Sequence, residues 1–148
     1  VAAVLPNSWD IDAAVIGALQ ADSALLALTP DGVFYDLAPP GAKRFVIVSL
    51  IDPTDTSEFG RRTMESNLYL VEARGLSTVF TTANAKAAAA RIDAILQDQP
   101  LTIPGYAWLD TSRDDNQART RVVEPDAIDP SLRWLRGGGF YRVRASLT

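Results

Sequence analysis

Carboxylates and guanidinium groups are the side chains of this sequence best placed to do chemistry. The 148 residues include no His and no Cys. That excludes Ser-His-Asp and Cys-His nucleophiles, HExxH zinc sites, disulfides and thiolate chemistry. Two acidic groups remain. Asp10 and Asp12 form a D-x-D pair, and Asp110, Asp114 and Asp115 cluster in a polar stretch. Either could hold a divalent cation, or divide acid and base roles as in glycoside cleavage. Asp10 and Asp12 equally suit a helix first turn, where acids meet the positive end of the dipole. Asp110 to Gln117 equally reads as a solvated loop. Nothing beside either group positions a substrate, so no catalytic residue, cofactor or metal site is assigned. Gly137-Gly138-Gly139 lacks the Gly-Lys-Ser/Thr of a phosphate loop and leads into Phe-Tyr-Arg-Val-Arg. It reads as a turn or bulge.

Two concentrations of charge remain. Arg133, Arg136, Arg142 and Arg144 alternate with Trp134, Phe140 and Tyr141. Nucleic-acid surfaces use such a mixture. So does a wet strand face, or a rim that pairs with acids of another subunit. The net charge of −4 and pI near 4.7 argue against a groove gripping phosphates. The second concentration is Asp52, Asp55, Glu58, Arg61 and Arg62, between apolar, β-rich segments. Mixed signs on a protruding element suit salt bridges to a copy of the same protein, or a solvated loop.

The elements carrying these groups follow from periodicity. The composition, 47% hydrophobic and 22% charged, suits one globular domain over residues 1–148, with residues 1–9 as an apolar N-terminal arm broken by Pro6. The arm is too short for a signal peptide, and no apolar run approaches the ~18–20 residues of a membrane span. Ser8 or Asp10 can cap a helix from about Ile11 to Gln20. Ile11, Ala14, Val15, Ala18 and Leu19 form its apolar face, and Asp10, Asp12 and Gln20 fall on other faces. Ala24 to Leu28 adds a turn or two before Thr29-Pro30-Asp31-Gly32. A short strand, Val33 to Asp36, precedes a loop stiffened by Pro39-Pro40.

Phe45 to Ile51 is the clearest strand, apolar on both faces except Ser49. Such a strand is covered by helices on one side and by a second layer or a partner subunit on the other. Thr63 to Ala73 returns, with Met64, Leu68 and Leu70 on one face and Glu65, Asn67, Tyr69 and Val71 on the other. The second face turns polar toward the tip, as for a hairpin leaving the body, and Gly75 ends it. Thr81 or Thr82 caps a helix over Ala83 to Gln97, whose alanines allow close approach to a sheet. Strands follow over Leu101 to Leu109, kinked at Pro104-Gly105, over Arg119 to Glu124, and over Phe140 to Leu147, the last with one wet face. The fold class is α+β, a largely antiparallel sheet with two helices packed on one face and a long projecting β-hairpin.

The helix phrase Leu19-Gln20-Ala21-Asp22-Ser23-Ala24-Leu25, then Gly32 to Asp36, the Ala38-Pro39-Pro40-Gly41 loop, the strand from Phe45, the hairpin and the helix Ala83 to Gln97 occur in a telling order. In this the chain resembles the tail-completion or tail-terminator proteins of long-tailed bacteriophages. The likeness covers roughly Ile11 to Gln97, and the C-terminal third by topology. The apolar arm and the Asp110 to Arg136 excursion depart from the pattern. A neck or head-completion adaptor is the neighbouring alternative, and a carboxylate-based metal enzyme a remoter one.

The resemblance implies a non-enzymatic virion protein without cofactors, assembled in the host cytoplasm. It implies a ring, commonly a hexamer, that caps the tail tube, stops its growth and meets the head connector. DNA would pass through without sequence-specific binding, and no membrane is involved. Asp52, Asp55, Glu58, Arg61 and Arg62 of one subunit, with Arg142 and Arg144 of the next, become candidate interface residues, since a ring needs different patches on its two sides. Reversing the charge at Asp55 and Glu58 is expected to weaken ring assembly. A sedimentation profile indifferent to the change would sink the pairing.

Overall fold

An apolar run from Phe45 to Ile51 and an alternating stretch from Thr63 to Ala73 build the central hairpin of the computed structural model, which describes residues 6–114 and 119–148. In chain order the elements are α1 (Trp9–Gln20), α2 (Ser23–Leu28), β1 (Val33–Tyr35), β2 (Arg44–Glu58), β3 (Arg61–Leu76), α3 (Thr82–Leu96), β4 (Tyr106–Arg113), β5 (Arg119–Pro125) and β6 (Arg133–Leu147). The strands form one sheet in the order β1-β2-β3-β6-β4, with β5 also pairing with β6. Only β1–β2 is parallel. The fold is therefore α+β as expected, with a short third helix where a turn or two was anticipated.

β3 is the spine. It pairs with β2 from Arg61 to Gly75 and with β6 from Met64 to Leu76. Beyond β6, β4 lies against Tyr141–Leu147 and β5 against Arg133–Gly139, so the two run end to end along one edge. The register puts Val46, Val48, Tyr69, Val71, Ala73, Tyr141, Val143 and Ala145 on one face. There they form a core with Ile11, Val15 and Leu19 of α1, Leu25 of α2, and Ala85, Ala88, Ile92 and Leu96 of α3. Phe45 and Ile47 point to the opposite face. The segment after β1 covers them: Leu37, Ala38 and Pro39 line one hollow with Phe45, Ile47 and Trp134. The apolar second face of the Phe45 strand is thus met within the chain.

Several boundaries shift for physical reasons. Gly137, Gly138 and Gly139 form no turn. They lie inside β6, opposite Ala73, Glu72 and Val71. A Cβ on Gly137 would stand 2.9 Å from the Ala85 carbonyl oxygen of α3, and one on Gly138 2.0 Å from the Val71 carbonyl oxygen. Glycine is required there by close approach. Gly75 likewise does not end β3, because a Cβ would stand 2.1 Å from Phe80 Cγ, so the aromatic ring occupies that space. Leu101 and Ile103 are buried without being strand, and β4 starts only after the Pro104-Gly105 turn. It then runs through Asp110, which was expected to open a loop.

The helix ends are specific. Thr81 Oγ1 accepts from the Asn84 amide at 3.1 Å, as expected for a cap. Asp22 caps α2, accepting from the Leu25 amide at 2.8 Å, and also receives Arg91 Nε of α3 at 3.0 Å. One carboxylate thereby ties two helices, and the Arg91 hydrogen bond holds its pKa below the usual value. Ser8 occupies the N-cap position of α1 but makes no cap bond. Its hydroxyl donates instead to Glu65 of β3.

Glycine substitutions separate the two roles. Gly138→Ala is expected to cost about 3 kcal/mol or more, because backbone rather than a side-chain tip must move. Gly17→Ala, in α1 with nothing within 4 Å of the added carbon, is expected to stabilise by about 0.5–1 kcal/mol. Chemical denaturation of both variants checks the pair.

Candidate assembly surface

The charged stretch 52–62 is ladder almost to its end. Asp52 pairs with Leu68, Asp55 with Glu65, and Glu58 with Arg61. Only Phe59 and Gly60 make the turn, with φ of 51° and 75°. Positive φ at both central residues is the type I′ geometry that matches strand twist. Phenylalanine in that conformation costs about 1 kcal/mol, and here its side chain is fully exposed. Residues 51–62 are all exposed. β1 covers β2 only at Val46–Val48, so the outer half of β2 is an open sheet edge among the described residues. Pro53 and a register shift at Ile51 interrupt that edge, and its acids charge it. These features protect edges from indiscriminate pairing.

The interface candidates fall into two groups. On the hairpin, Arg62 Nη1 lies 3.9 Å from Asp55 and 3.7 Å from Glu65. Asp52, Glu58 and Arg61 make no ion pair among the described residues. On β6, Arg142 and Arg144 project from the face opposite the helices, and both have partners within the chain. Arg144 Nη1 donates to Asp110 at 2.8 Å. Arg142 donates to Ser66 Oγ at 3.0 Å and lies 3.8 Å from Asp114. On the same face, Arg74 reaches the buried Glu72 at 2.7 Å, and Arg136 bridges Glu72, at 3.6 Å, to Glu124. The C-terminal arginines and the acids of β3, β4 and β5 thus form a ladder of pairs across one sheet face.

The acids considered for metal chemistry are dispersed. Asp115 and the first five residues of the arm lie outside the described residues. Asp110 and Asp114 are taken up by Arg144 and Arg142. Asp12, expected on an outer face, is buried beneath α1 and accepts from the buried Tyr69 hydroxyl. No group of three metal-ligating side chains occurs among the described residues. A hollow of about 640 Å³ between α3 and β6 has Asp93 as its one carboxylate among the described residues. That group accepts from Tyr141 Oη at 2.8 Å and lies 3.5 Å from Arg113.

The polar row of β3, Glu65, Asn67 and Tyr69, was expected to mark the hairpin leaving the body. All three side chains are instead buried on the helix-covered face. Asn67 Nδ2 donates to Tyr69 Oη at 3.3 Å, Tyr69 to Asp12, and Ser8 to Glu65. The start of α1 is therefore docked by a polar seam, not by apolar packing alone. Alternation could not reveal this, since a polar residue on a strand reads as solvent-facing. Burial, with Asp12 beside it, pushes Tyr69 far above the ordinary phenol range. Burial and the same carboxylate push Tyr35 up to about 12. Burial and the neighbouring Glu65 do the same for Tyr106.

No protein-family model and no curated protein matches the chain. Among the solved structures that share its fold, two illustrate the likeness. One is a chain of the virion of a native gene transfer agent particle, 24% identical, matching 92% of this chain and 94% of its own length with a TM-score of 0.66. The other is 15% identical, with 96% of each chain covered and a TM-score of 0.56. At such identities the likeness establishes the fold.

Removing the Tyr69 hydroxyl takes a hydrogen-bond donor from the buried Asp12 carboxylate. Tyr69→Phe is expected to cost about 2 kcal/mol. The raised phenols also give stability a sign in alkali. Their protons are held more tightly in the folded chain, so stability is full below the unfolded value of 10.0 and falls as pH climbs toward about 12. Urea titrations at pH 8 and above check both, with a shallower alkaline loss in Tyr69→Phe.

Proposed function

We propose that this chain is a non-enzymatic structural protein of a phage-like virion, a ring-forming tail terminator. The observation that carries the reading is whole-chain likeness to a component of a gene transfer agent virion, with 92% and 94% of the two chains superposed. The order of motifs from Leu19 to Gln97 supports the finer role. The long hairpin fits it as well: the outer half of β2 and the start of β3 form an exposed, charged arm.

In this reading roughly six copies close a ring by heterologous contacts, in which unlike patches meet. The ring sits at the head-proximal end of the tail, caps the tube protein and presents its other side to the connector. DNA passes through the centre, and the acidic balance of the chain favours sliding over retention. Asp52, Asp55, Glu58, Arg61 and Arg62 are the proposed contact residues of the hairpin. Arg142 and Arg144 enter as sharers. Both already serve acids of their own chain, and Arg144, two-fifths exposed, keeps donors for a neighbour's carboxylate.

Sedimentation velocity, alone and with tail-tube protein, tests the reading. A ring-sized species in either condition is expected. A strict monomer in both would refute it.

A further inference from the structure

Two apolar side chains stand out in solvent at opposite ends of the hairpin. Phe59 is fully exposed at the tip, and Leu37 is 83% exposed on the rim of the hollow at the base. The backbone is unusual at both places. Of the three described non-glycine residues with positive φ, one is Phe59 itself and another is Asp36, which sets the direction of Leu37. Strained conformations persist where a function holds them.

The hollow is preformed. It has a volume of about 270 Å³ and is lined by Phe45, Ile47, Trp134, Leu37, Pro39 and Arg74, among others. Phe45 stacks edge-on with Phe34 at 6.3 Å and lies 6.0 Å from Trp134. The indole is fixed by a 2.7 Å hydrogen bond from Nε1 to Asp126. One wall is thus aromatic and rigid, which suits a phenyl ring.

We propose that Phe59 of one copy inserts into this hollow of a second copy. A subunit cannot satisfy itself, because Phe45 and Phe59 are separated along β2 by roughly 45 Å at the rise of a strand. Knob and hole lie on different patches, so the contact is head-to-tail and each copy offers one of each. The inference rests on the self-assembly reading and names the contact that would close the ring.

The absence of cysteine makes the test clean. Glu58→Cys beside the knob and Leu37→Cys on the rim are mixed as two chains of different mass and oxidised. Glu58→Cys with Gln20→Cys, an exposed position at the end of α1, is the control. Linked heterodimer is expected well above the control. Adding Phe59→Ala to the Glu58→Cys chain should lower it roughly tenfold or more, the scale of an interface hot spot. Phe59 is exposed, so its loss leaves the fold intact, which circular dichroism verifies. Linkage equal to the control, or unaffected by Phe59→Ala, overturns the knob-and-hole contact. If Phe59→Ala chains still sediment as rings, this contact alone fails and the assembly reading stands. If the unmodified chain forms no ring and the thiols do not link, both fail.

Discussion

The approach of α3 to the middle of β6 is the constraint from which the packing follows. Gly137 lets the Ala85 backbone come to the strand, and Ala85 and Ala88 keep the helix side of the contact thin. With α3 that close, larger side chains take the flanks: Ile92 and Leu96 further along the helix, Tyr69 and Tyr141 beside each other on the sheet. Gly138 and Gly75 make room in the same way for the β3 backbone and the Phe80 ring. Glycine inside a strand loses conformational entropy and packing. Here the loss is offset by the layer it brings into contact.

The helix-covered face is not uniformly apolar. Where α1 begins, the sheet offers Glu65, Asn67 and Tyr69, and the helix answers with Ser8 and Asp12. A buried carboxylate is costly to strip of water; Ser8 and Arg62 both meet Glu65 at Oε1, while Oε2 is buried without a hydrogen-bond partner among the described residues. Such a seam adds little net stability. It fixes the position of α1, because only one placement satisfies the donors. The opposite face uses the same device nearer to solvent, where Glu72 is held by Arg74 and Arg136.

The hairpin is held along its inner half by both neighbours and along its outer half by β3 alone. Its rigidity comes from the register of β3 with β6, which continues to Met64, close to the turn. The outer half of β2 can therefore project as ordered strand and keep its charges and Phe59 in a defined geometry. Pro53, a bulge and acids on its open edge suit an element that meets a selected partner.

Much of this was legible in the sequence. A continuous apolar run located the inner half of β2, alternation located β3 and the second half of β6, the 3.6-residue period located α1 and α3, and Thr81 announced its cap. Absence of His and Cys removed whole classes of catalysis. These are local properties, fixed by residue type and spacing. Other features depend on what a residue faces. Gly137 and Gly138 read as turn formers because glycine is permissive, and only the nearness of α3 and β3 makes them strand. Asp12 and Glu65 read as exposed because carboxylates usually are, and the fold brings the Tyr69 and Ser8 hydroxyls to them where they are buried. Arg142 and Arg144 read as available cations until the fold brought Asp110 and Asp114 beside them. Sequence by itself determined the elements, their order and the chemistry the chain lacks. Tertiary structure decided which polar groups are partnered within the chain, because a hydrogen bond or ion pair depends on distances that residue spacing does not set.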